Sequence, residues 1–284
     1  MKISVMMVTA RDLGMLPYQI DYFKRQTFKD FELVFVDELW EQRKDSVKKE
    51  VDGAFPLTHI LPNEVKSYFA PGAAWNDGFT HCRGELLYFM ADYIIPHEDC
   101  LRVHWETHLQ YPKAMISGRC WEMNISADEF NQPNKQFQFN DYRLSLFENS
   151  YFRWSRIAES LYGAERAGVQ NFWTGRNDSA PLDTILECNG FDEQFDGAHG
   201  YHDEDLAQRM ANLGLEYIFN LKSLVWQFSH KKEGEQVGGK PGLRTDEEQH
   251  QMFKAKLIPQ RIKDGTYKVN PDRNLREERE VWLK

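Results

Sequence analysis

Three consecutive acids, Asp203, Glu204 and Asp205, open a run in which Leu206, Met210 and Leu213 recur at helical spacing and are expected to face a core. A glycine-punctuated stretch from Asn189 delivers them, and Gly214 closes the run. Carboxylates in a helix's first turn are favoured by the positive end of the macrodipole and can cap it. They can also do chemistry: neighbouring acids raise one another's pKa, and a carboxylate raised towards the working pH makes a general base. Two further polar residues end apolar runs, Asp92 after Leu86–Met90 and His230 after Leu224–Ser229. A strand-end histidine is more often a plain polar residue than a metal ligand, and both readings are open for His230.

Elements that would position these residues are visible in the apolar pattern. Ile3–Thr9 is a β-rich run ending in polar residues, which reads as a buried first strand opening onto a loop at Arg11. Leu16, Ile20 and Phe23 mark one face of a helix, with Pro17 suited to its first turn. Phe31–Val36 is a second buried strand, followed by Asp37 and Glu38. Such a β-α-β unit favours a parallel sheet with a right-handed crossover. Ligands of these sheets lie at the carboxyl ends of the strands, where Thr9, Arg11, Asp37 and Glu38 fall. A third block, Ala73–Pro96, holds Asn76, Gly78, Gly84 and the strand that ends at Asp92, and a helix is expected near Glu98–Gln110. The fold class is α/β.

Taken together, these blocks resemble glycosyltransferase family 2, of the GT-A fold. Asn189–Gly214 is similar to the family's acid block and to the C-terminal block of galactosyltransferase-type relatives. Gln26 and Phe31–Asp37 match the first block, and Asn76, Gly78, Gly84 and Leu86–Met90 match the next, with Asp92 at the expected metal-binding carboxylate. The resemblance implies a Rossmann-like, mostly parallel nucleotide-binding sheet flanked by helices, in a single domain with a C-terminal extension. It implies inverting, metal-dependent transfer of a hexose or N-acetylhexosamine from a nucleotide sugar, UDP-linked, to a glycan or other hydroxyl acceptor. Thr9, Arg11, Asp37, Asn76, Asp92 and Trp173 are the donor-site residues it implies. Asp92 and His230 would hold Mn2+ or Mg2+, an imidazole ligand favouring manganese. Asp203 stands at the general base, with Glu204 beside it. Lys231, Lys232, Lys240 or Arg244, on the segment after His230, either close over the phosphates or are simply solvated. The chain departs from the family at Ala10-Arg11 (for Tyr-Asn), Leu39-Trp40 (for Gly-Ser), Ala91-Asp92-Tyr93 (for two or three acids) and His202 (for Glu). Those departures keep a second reading open, a catalytically inactive nucleotide-sugar or glycan-binding protein. A nucleotidyltransferase would need a Gly-rich, Lys-bearing loop after the first strand, where this chain has Arg11–Met15.

A net charge of −9 over 284 residues argues against a nucleic-acid surface. No apolar run approaches the roughly 20 residues that span a bilayer, and the amino terminus lacks a signal-peptide layout. Peripheral membrane association stays open. Cys82, Cys100, Cys120 and Cys188 form no CxxC pair and read as reduced, mostly buried thiols of a cytoplasmic protein. Three parts are expected: a donor half over residues 1–118, an acceptor and catalytic half over 119–230, and a charged extension over 231–284 for which a lid is one reading. An aromatic-rich stretch from Trp121 to Tyr162 is either core or an acceptor platform.

Overall fold

Side-chain alternation along the early strands decides where the helices pack. In β1 (Ile3–Thr9), Ile3, Val5 and Met7 meet one face of the sheet and Met6 the other. β2 (Phe31–Asp37) and β4 (Leu86–Ala91) repeat this, with Leu33, Phe35, Tyr88 and Met90 on the first face and Val34, Val36, Leu87 and Phe89 on the second. A sheet apolar on both faces must be covered on both. Helices α1 (Leu16–Arg25), α2 (Trp40–Val51) and α4 (Cys100–Gln110) cover the first through Ile20, Phe23, Val47, Val51 and Leu101. Helices α3 (Pro71–Phe79), α5 (Leu182–Glu187), α6 (His202–Asn212) and α8 (Leu275–Trp282) cover the second through Phe79, Ile185, Leu206, Met210 and Leu275.

This computed structural model describes residues 1–123, 139–141, 173–228, 240–256 and 267–284. His230, Lys231, Lys232 and most of the aromatic-rich stretch (Phe130, Phe137, Tyr142, Phe147, Tyr151, Phe152 and Trp154) lie outside the described residues. The other elements are β3 (Leu57–Ile60), β5 (Ile94–Pro96), β6 (Ala114–Met123), β7 (Phe139–Asp141), β8 (Asp178–Pro181), β9 (Glu216–Gln227) and α7 (Asp246–Lys256). The sheet runs β3-β2-β1-β4-β8-β6-β9-β5, with β7 paired to β6. Strands β3 to β4 are mutually parallel, as are β6 and β9, while β8 lies antiparallel between β4 and β6. The α/β fold and the β1-α1-β2 unit therefore stand as expected. No helix among the described residues is long and apolar enough to cross a membrane.

Two local expectations are corrected. The strand expected to begin at Leu224 is the last third of β9, which runs Glu216–Gln227. Leu213 does not face the core but is 46% exposed. Helix α6 ends at Asn212, and Gly214 at φ +92 turns the chain so that Leu215 takes the buried place.

The far end of the expected extension is part of the domain. Leu275 is fully buried. Arg273 pairs with Glu193 at 2.7 Å and Asp77 at 3.0 Å. The Asn189 side chain donates to the carbonyls of Val269 and Arg273, both at 2.9 Å. α7 is anchored by buried Gln249, whose Nε2 donates to the carbonyls of Phe195 and Gly200.

Candidate active site

The carboxyl ends of β1 and β4 and the first turns of α3 and α6 enclose a cleft of 590 Å³. Thr9, Arg11, Asp92 and Trp173 line it together with Asp203 and Glu204. Strand ends supply one side, because a parallel sheet leaves its loops there. The acid helix supplies the other.

Two expected donor-site residues do not reach the cleft. Asp37 is fully buried below it. One of its oxygens accepts from Leu39 N (2.8 Å) and Arg43 Nη2 (2.7 Å); the other meets Arg43 Nε (2.5 Å) and His59 Nε2 (2.9 Å). Burial opposes its ionisation, yet the His59 and Arg43 hydrogen bonds prevail and hold its pKa below the ordinary value. Its neighbour Glu38 lines the cleft and pairs with Lys240. Asn76, also fully buried, donates to the Phe191 carbonyl and to Glu193 and accepts from Phe191 N, tying α3 to the loop before the acids.

Asp92 stands at the end of β4 but already has partners. Thr9 Oγ1 donates to its Oδ2 at 2.8 Å, and Arg11 grips it with Nε to Oδ2 and Nη2 to Oδ1, both 3.0 Å. The Arg11 guanidinium also lies 5.9 Å from the Tyr93 ring centroid. A divalent cation on Asp92 would have to displace this fork. The described residues contain no group of three His, Cys, Asp or Glu side chains able to hold a metal. As they stand, then, these residues do not fit a divalent cation, and His230 lies outside the described set.

Asp203 lies in the first turn of α6 against Gly175, where a Cβ would come 3.0 Å from its Oδ1. Gly175 has φ +65, so both its backbone and its missing side chain let the loop close on the carboxylate. Desolvation and the charge of Glu204 raise the Asp203 pKa to about 7, against the opposing pull of His202. Glu204 is shifted upward by burial as well. Asp205 faces inward and forms a buried pair with Arg209. It is structural.

The turn that presents these acids is fixed from outside its own sequence. Tyr201 takes a left-handed φ of 69, uncommon for a residue with a side chain. Its ring stacks on Phe253 at 4.7 Å and its hydroxyl meets His250 Nδ1 at 2.6 Å, both on α7. His202 Nε2 bonds Asp196 at 3.1 Å. Burial opposes a charge on His202, but the carboxylates of Asp196, Asp203 and Glu204 outweigh it and raise its pKa. Asp196 also accepts from Gly72 N (2.8 Å) and Ala73 N (2.9 Å), capping α3 from 124 and 123 residues away. One carboxylate thus joins the first turns of α3 and α6. The sequence reading missed Asp196. Its one signal was that α3 begins with Pro71 and has no side-chain cap of its own.

Phe69, Trp75, Phe191 and Trp173 form the apolar wall. Trp173 packs edge-on to Phe89 at 5.2 Å, and its buried indole N–H has no hydrogen-bond partner among the described residues. Of the cations expected over the phosphates, Lys240 lines the cleft, whereas Arg244 is spent on the carbonyls of Gln194 and Asp196.

The family model described as Glycosyl transferase family 2 matches residues 4–176. No curated protein matches the chain. Among solved structures, residues 1–349 of S. aureus TarS in complex with UDP-GlcNAc give a TM-score of 0.63 at 11% identity, over 93% of this chain and 73% of that one. Another S. aureus TarS structure gives 0.57 at 12% identity over 81% of this chain, which spans only 37% of that TarS chain. The Pyrobaculum calidifontis mannosyltransferase PcManGT, in complex with GDP-Man and Mn2+, gives 0.53 at 16% identity, over 82% and 58% of the two chains. The likeness is one of fold, the GT-A arrangement of a helix-flanked mixed sheet.

Proposed function

This chain belongs to glycosyl transferase family 2, and from that premise we propose that it moves a hexose or N-acetylhexosamine from a UDP-linked donor to a hydroxyl of a glycan or related acceptor, with inversion. The observation that carries the reading is Asp203, a carboxylate with pKa near 7, set in the same cleft as Thr9, Arg11 and Lys240. Glycosyl transfer needs both ends: a base for the acceptor hydroxyl and positive groups for the leaving diphosphate.

In this reading the nucleotide sugar lies along the ends of β1 and β4, with its diphosphate towards Arg11 and Lys240. The acceptor sugar lies against the partly exposed Trp75, whose apolar ring suits the C–H face of a sugar. Asp203 takes the acceptor proton as the hydroxyl attacks the anomeric carbon. A single base and no assigned protein nucleophile make inversion the natural outcome. The UDP assignment draws on the galactosyltransferase-like acid block and on the UDP-GlcNAc bound by TarS.

Product analysis of UDP-hexose and UDP-N-acetylhexosamine turnover, wild type against Asp203→Asn, tests the proposal. Enzymatic turnover that Asp203→Asn lowers by at least about 100-fold is expected of a lost general base. Nucleotide binding with turnover at background in the wild type would favour the non-catalytic binding reading instead.

A further inference from the structure

We propose that Arg11, rather than a divalent cation on Asp92, is the positive group that receives the leaving diphosphate, and that Asp92 is the carboxylate that orients it. This rests on the glycosyl-transfer reading above. Hard cations take their oxygen ligands at about 2.0–2.6 Å. A cation so bound to Asp92 would fall where the guanidinium sits, since Arg11 reaches both carboxylate oxygens at 3.0 Å. Displacing Arg11 would break a bidentate, charge-assisted pair and leave two positive groups side by side.

The neighbours of Asp92 point the same way. Ala91 and Tyr93 flank it, so no adjacent carboxylate shares the load. Tyr93 instead offers an aromatic ring to the guanidinium, 5.9 Å from its Cζ, and such a ring stabilises a cation rather than ligating one. Arg11 and Tyr93 are both positions where the chain departs from its family's blocks, and the two departures meet on the single remaining acid. A planar guanidinium matches a phosphate edge as well as a carboxylate edge. Lys240 and Arg176 line the same cleft and add positive charge.

The step balances without another reactant. The acceptor oxygen forms its bond to the anomeric carbon and gives its proton to Asp203. The bond from that carbon to the diphosphate oxygen breaks, and its electron pair leaves with the diphosphate, where Arg11 meets the added charge.

Calorimetric titration of UDP and, separately, GDP into the purified protein tests this, in EDTA and in Mn2+, for wild type, Arg11→Ala, Arg11→Lys and Asp92→Asn. The expected result is binding of one nucleotide in EDTA, with manganese changing Kd by less than about 3-fold. Arg11→Ala then weakens it about 30-fold, Arg11→Lys less, and Asp92→Asn partially, with thermal unfolding showing that each variant is folded. Binding that appears only with manganese and vanishes in Asp92→Asn would overturn the proposal while leaving the transferase reading intact. No binding of either nucleotide in any condition would remove the transferase reading and this proposal with it.

Discussion

A carboxylate accepts a proton only while it is itself ionised, and Asp203 sits where that state is costly. With its pKa near 7, kcat/KM for sugar transfer should rise with pH through about 7 and level off above it. A pH profile from roughly pH 5 to 9 checks this, and a rate already level from pH 5 upward would contradict the assignment. The same shift carries a stability consequence of opposite sense. The folded state holds the Asp203 proton more tightly than the unfolded chain, so this group's contribution falls as pH rises from about 4 to 7. Asp203→Asn should therefore raise Tm by about 2–4 °C above pH 8, with the gain shrinking towards pH 5. That Asp92 and Asp203 would stand at element ends facing one cleft was legible in the sequence, because local pattern defines each strand or helix boundary. Asp37 and Asn76 were not, because what removes them from the cleft are His59 and Phe191, 22 and 115 residues away. Composition cannot reveal that a polar residue's bonds are already spoken for.

Elements were easier to read than the joints between them. The continuous apolar runs of β1, β2 and β4 and the apolar face of α1 predicted their positions closely, since each depends on burial of its own residues. Leu213 was expected in the core because it continues a helical spacing that Gly214 interrupts. The joint between α3 and α6 was invisible, as Asp196 is remote in sequence from the turn it caps. Asp196→Ala should cost about 2 kcal/mol, for a lost cap and a lost partner to His202. Chemical denaturation checks that value. Activity should fall further than stability alone explains, because the turn that aims Asp203 loses its tie. Equal loss of stability with unchanged kcat/KM would show that α7 holds the turn by itself.

At the scale of the whole chain, the tail is the chief departure from expectation. Residues 267–284 look like a charged appendage because most of their side chains face solvent; Leu275 is the apolar plug that the count of charges hides. Leu275→Ala should destabilise the protein by about 3 kcal/mol, the range of a buried leucine truncated in a packed core. Urea unfolding would test it, and a change under about 1 kcal/mol would mean the tail packs too loosely to matter.

The four buried cysteines, none of them in a disulfide, have a use beyond packing. Burial raises the thiol pKa of Cys100 and Cys188 to about 11 and that of Cys82 further, so native thiols are nearly inert to reagents that need the thiolate. Cys82 and Cys188 lie on the sheet face covered by α8, whereas Cys100 and Cys120 lie on the opposite face. Together they make a two-sided clock for local opening. Maleimide labelling read by mass spectrometry should mark Cys82 and Cys188 first, and Leu275→Ala should widen that interval. Simultaneous labelling of all four would mean that both layers come apart in one event.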